Sequence, residues 1–74
     1  MKNKDLIKKI VPIADRLDEI NLREQAYRGY ELACILSNDY NGRVSNINAL
    51  LYSRWLWEIT DCLPLEVINL YTKI

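Results

Sequence analysis

The chain has 74 residues, half of them apolar, with ten Lys plus Arg balanced by ten Asp plus Glu and no histidine. That length holds a single domain, residues 1–74, and the apolar share belongs to a chain with a core rather than a disordered one. Zero formal charge removes the electrostatic footprint of nucleic-acid binding, and the missing imidazole removes Ser-His-Asp and Cys-His nucleophile activation along with most zinc chemistry.

The first element reads as an amphipathic helix from about Lys4 to Glu19. Leu6, Ile10, Ile13, Leu17 and Ile20 recur at alternating steps of four and three, which lines one face of a helix. Pro12 falls on the polar face and removes a backbone donor, so a bend is expected there within one continuous helix. The four nearby lysines, Lys2, Lys4, Lys8 and Lys9, read as a solvated first turn.

A second stripe, Leu22, Ala26, Gly29, Ala33 and Leu36, repeats the same step in a new phase. The change of phase requires a break near Asn21, which is also a candidate N-cap with Glu24 in capping-box position. So short a join makes the first two helices a hairpin. Three of the five stripe residues are Ala or Gly, so this face is expected to receive a bulky partner helix. Close approach is the reason to place Gly29 mid-helix, where it costs about 1 kcal/mol relative to Ala.

Residues 37–46 are polar and contain Asn41-Gly42, a strong turn signal. A third helix is expected from about Ser45 to Asp61, with Tyr52, Trp55, Ile59 and Cys62 on one seam, widened by Leu51, Leu56 and Leu63. Arg54 and Glu58 are spaced for an i,i+4 ion pair. Leu50 and Trp57 lie on another side, so this helix is either covered twice or carries an exposed apolar stripe. Pro64 ends it and fits the first turn of a short last helix through Val67, Leu70, Tyr71 and Ile74. The predicted class is all-α, a compact bundle of three to four short helices.

No Gly-rich phosphate loop exists, and the carboxylate pairs Asp15/Glu19 and Glu58/Asp61 fall at solvated positions. Cys34 and Cys62 are too few for a disulfide scaffold or a four-thiolate metal site, and each reads as a small apolar residue. Neither a secretory leader nor a membrane span is expected. The chain therefore reads as a non-enzymatic cytoplasmic protein without a cofactor. Its abundant Ile, Asn and Lys point to an AT-rich bacterial or phage genome.

Two local resemblances accompany this reading. Ser37–Asn48 resembles the 12-residue calcium loop of the EF-hand and dockerin families, with Asp39 and Asn41 at its third and fifth positions, Gly42 at the sixth and Ser45 at the ninth. The resemblance implies a calcium-loop module. Ser37 and Asn48 replace the acidic residues that open and close such a site. Leu63–Ile68 is similar to the closing helix of phage-repressor-type helix-turn-helix domains and implies a DNA-binding regulator. Residues 37–46 are longer than the tight turn such domains use.

What remains is association with another protein. Leu50 and Trp57 are the candidate anchor, with Arg54 between them and Tyr40 and Arg43 of the polar loop as rim. The expected role is an inhibitor, immunity or adaptor factor, phage- or plasmid-encoded, that occupies a partner's surface. A domain this small gains burial from self-association, so a weak homodimer is also expected.

Overall fold

The apolar stripe of the first segment closes a helix, α1 (Asn3–Glu19), in the computed structural model, which describes residues 1–61. Leu6, Ile10, Ile13, Ala14 and Leu17 are buried along its length, and the helix runs unbroken through Pro12. Asp5 steadies its start by accepting from the Lys2 backbone N–H at 3.2 Å, a carboxylate placed where the first-turn donors need one.

The break between the stripes falls at Ile20–Leu22, and its chemistry differs from the sequence expectation. Asn21 is not the N-cap of the second helix. It carries the one positive φ of a non-glycine residue among those described, 66°, and ends α1 instead. Its N–H donates to Asp18 O at 3.0 Å while Leu22 N–H donates to Leu17 O at 2.9 Å, the paired bonds of a Schellman turn. Asn tolerates the left-handed region better than most residues, which is why the chain reverses here without glycine. Leu22 then precedes α2 (Arg23–Ser37), which starts with no side-chain cap.

α1 and α2 form the expected hairpin, and α2 is the shared helix, packing closely on α1 and also on α3 (Asn46–Ile59). Among the described residues no close backbone approach joins α1 to α3. Ala26, Leu32, Ala33 and Leu36 of α2 join the α1 stripe in one buried cluster, to which α3 adds Trp55 and Ile59. The Tyr30 hydroxyl donates to Asp15 Oδ1 and clasps the hairpin from outside. That hydrogen bond, with burial and the negative charge of Asp15 as lesser causes, pushes the phenol up to about 12.

The small-residue face of α2 does receive a bulky helix. A Cβ on Gly29 would lie 2.4 Å from Cζ2 of Trp55, so the indole occupies the space that a side chain would need. Trp55 is buried, and its Nε1–H donates to Gln25 O at 2.9 Å. This satisfies the one polar atom that the indole carries into the core.

The lysines at the start are solvated as expected, with Lys2 and Lys8 exposed, but the backbone there is tied down. Val44 N–H donates to Met1 O, Asn3 N–H to Gly42 O and Lys4 N–H to Tyr40 O, so the α2–α3 loop supplies acceptors to the open donors at the start of α1. Lys2 and Arg43 face each other as an antiparallel bridge. Buried Asn3 fastens the joint by donating from Nδ2 to Asp39 O at 2.7 Å. The loop itself turns over residues 39–42, with Gly42 N–H on Asp39 O at 2.9 Å. Asp at the first position, Gly at the fourth and no positive φ are the marks of a type I turn. Cys62, the expected last helix and the helix-turn-helix resemblance at residues 63–68 lie outside the described residues.

Candidate functional site: the outer face of α3

Ser45 sets the phase of α3. Its Oγ accepts from Asn48 N–H at 3.1 Å, an N-cap that starts the helix at Asn46. From that start, Trp55 and Ile59 turn inward onto α2, with Tyr52 and Leu56 half-buried beside them. Burial pushes the Tyr52 phenol up. Positions 47, 50, 54 and 57 then fall on the far side at steps of three, four and three.

The structure decides between the two readings of this helix. α3 is not covered on both sides by the described residues: Ile47 is 73% exposed, Leu50 60% and Trp57 78%. At 1.5 Å rise per residue, the stripe from Ile47 to Trp57 is about 15 Å long. Arg54 is exposed at its middle. Leu51, expected to widen the inner seam, is exposed at the groove between α2 and α3.

The expected ion pair between Arg54 and Glu58 does not form. Glu58 accepts from Arg28 of α2 at 2.6 Å, and Arg28 also pairs with Glu24 at 3.2 Å. The hydrogen bond with Glu58, aided by the charges of both carboxylates, holds the Arg28 guanidinium above its ordinary range. The longer reach across α2 and α3 wins because helix packing brings Arg28 to Glu58 already. Arg54 makes no ion pair among the described residues and stays with the apolar stripe.

Beside the stripe, a groove of about 350 Å³ runs between α2 and α3. Leu32, Ile35 and Leu51 supply its apolar floor with the flank of Trp55, and Arg54 stands on the rim it shares with the stripe. Sequence reasoning missed this groove and the part that Ile47 plays. Ile47 was legible, standing three residues before Leu50 on the same face. The groove had no such signal, since Ile35 and Leu51 belong to different helices and meet only through packing.

Leu50, Arg54 and Trp57 are thus brought together. Tyr40 and Arg43, expected at the rim of that stripe, are exposed, and their backbones are fastened to the start of α1. The loop that resembles a calcium site uses its Asp39, Tyr40 and Gly42 carbonyls as acceptors for Asn3, Lys4 and its own turn. Among the described residues no group of three or more acidic or thiol side chains is placed to hold a metal ion, and no helix is long and apolar enough to cross a membrane.

The face offers aliphatic surface, one indole and one guanidinium. Comparison with family models, with curated proteins and with solved structures returns no match for the chain.

Proposed function

We propose that this chain is a small, non-enzymatic binding protein of the bacterial or phage cytoplasm, an inhibitor, immunity or adaptor factor that acts by occupying a partner protein's surface with α3. The observation that carries the proposal is the exposure of Trp57 beside Leu50 and Ile47 on one helix face. A lone exposed Leu is ordinary, but a Trp at the end of an aliphatic stripe is the composition of a binding anchor. Arg54 in the middle supplies a charged group whose stem extends the apolar surface. Recognition follows the helix-in-groove mode, in which residues spaced i, i+3, i+7 and i+10 enter an apolar channel on the partner.

The double substitution Leu50→Ala with Trp57→Ala tests this. Both side chains point away from the core, so helical circular dichroism and the denaturation midpoint should stay near those of the wild type. Quantitative affinity capture from the source cell should show one protein retained by the wild-type chain and lost from the double variant. Equal retention by both would place the binding face elsewhere.

A further inference from the structure

We infer that a second copy of this chain occupies the outer face of α3 when no other partner is present, with the two α3 helices antiparallel about a two-fold axis. The inference rests on the proposed binding role of that face and names an occupant for it.

The stripe is unequal along its length. Two aliphatic side chains, Ile47 and Leu50, stand at one end and the large Trp57 at the other. Ile47 and Trp57 are equally far in sequence from position 52. A two-fold crossing at that level sets the indole of each copy over the Ile47–Leu50 end of the other and keeps the helix spacing even. A parallel pair would oppose indole with indole at one end and aliphatic with aliphatic at the other, so the helices would splay and leave a gap.

Charge points the same way. In a parallel pair the two Arg54 guanidinium groups would face each other, and like charges directly opposed are unfavourable. The antiparallel crossing places Arg54 of one copy at the level of Leu50 of the other, where its stem covers apolar surface and its head reaches water. The chain carries no net charge, so two copies approach without long-range repulsion. No described helix covers the stripe, because α3 packs by its opposite face, through Trp55 and Ile59, on α2 alone among them.

Area sets the strength. The exposed parts of Ile47, Leu50, Leu51 and Trp57 amount to apolar surface on the order of 500 Å² per chain. The pair would bury at most about 1,000 Å², below the roughly 1,200–2,000 Å² of stable specific complexes and within the weak, transient class. Such a dimer gives way to a tighter partner at the same face, so self-pairing caps the anchor until that partner arrives.

Sedimentation equilibrium on the full chain from about 10 μM to 1 mM is the primary test, a range suited to weak pairing. We expect a reversible dimer that Leu50→Ala with Trp57→Ala weakens at least about tenfold. Orientation is read in a mixed sample: one copy carries a nitroxide at Asn46→Cys, with Cys34→Ser and Cys62→Ser, and the other is isotope-labelled wild type. The spin label should broaden the Trp57 indole signal. Broadening confined to residues near Asn46 would mean a parallel pair and overturn the arrangement. A dimer indifferent to the double substitution would place the contact elsewhere and overturn the inference. A monomer throughout would overturn it too, yet leave the proposed binding role standing if the double variant still loses its captured protein. A monomer whose Trp57 resists iodide quenching would mean that residues 62–74 cover the face in cis, and would overturn both.

Discussion

At Gly29 two effects of opposite sign meet, and their sizes decide the outcome. Alanine at a mid-helix position is favoured over glycine by about 1 kcal/mol. A Cβ there would stand 2.4 Å from Trp55 Cζ2, well inside contact distance. The ring has little room to withdraw, since it is buried and held by its Nε1–H on Gln25 O. Overpacking of this kind costs about 1–3 kcal/mol, so the clash wins over propensity. Gly29→Ala should lower the urea midpoint and shift Trp55 emission to the red. A variant more stable than wild type would show that the indole is not seated on Gly29.

At the level of elements, the hairpin depends on a left-handed residue that the sequence marks ambiguously. Asn is a good N-cap and also the commonest non-glycine residue in the left-handed region, so Asn21 beside a phase change supports two readings. The Glu24 spacing favoured the N-cap, and the backbone decided otherwise, at φ 66°. Asn21→Gly should therefore raise stability by several tenths to about 1 kcal/mol, while Asn21→Val, β-branched in that conformation, should lower it by about 1–2 kcal/mol. Thermal melts of the two variants check the pair; an N-cap role would make glycine slightly harmful and valine no worse than other apolar residues. The same contrast runs through the rest of the fold. The stripes of α1 and α2 and the Trp55–Ile59 seam of α3 were legible because helical periodicity is a local signal. The bridge of Lys2 to Arg43, the clasp of Tyr30 on Asp15 and the pairing of Arg28 with Glu58 were not, because each joins distant segments and only packing brings them together. At the candidate site, the face bearing Leu50, Arg54 and Trp57 could be read from spacing, but whether it was covered could not. That depends on α3 packing, among the described residues, on α2 alone.

For the whole molecule, the arrangement divides the chain into parts of unequal firmness. Among the described residues α1 and α2 share most of the buried side chains, while α3 contributes Trp55 and Ile59, the half-buried Tyr52 and Leu56, one indole hydrogen bond and the exposed Arg28–Glu58 pair. Exposed ion pairs contribute about 0–1 kcal/mol, so among the described residues the apolar seam of Tyr52, Trp55, Leu56 and Ile59 carries the attachment. A 74-residue domain has a total stability of only about 4–11 kcal/mol at typical values per residue. An element held by so few buried groups opens below that total. Native-state hydrogen exchange should accordingly show α3 amides opening at lower free energy than the buried amides of α1 and α2. The Asn3 and Lys4 amides, bonded to the loop, should resist exchange more than a frayed helix start would. Self-pairing through α3 adds a further consequence, because a partner that binds only the closed helix stabilises it in proportion to the logarithm of its concentration. Protection of α3 should then rise between dilute and concentrated samples, with the α1–α2 hairpin changing less. Equal protection across all three helices at every concentration would mean that α3 is as firmly built in as the hairpin, and that its outer face gains nothing from a second copy.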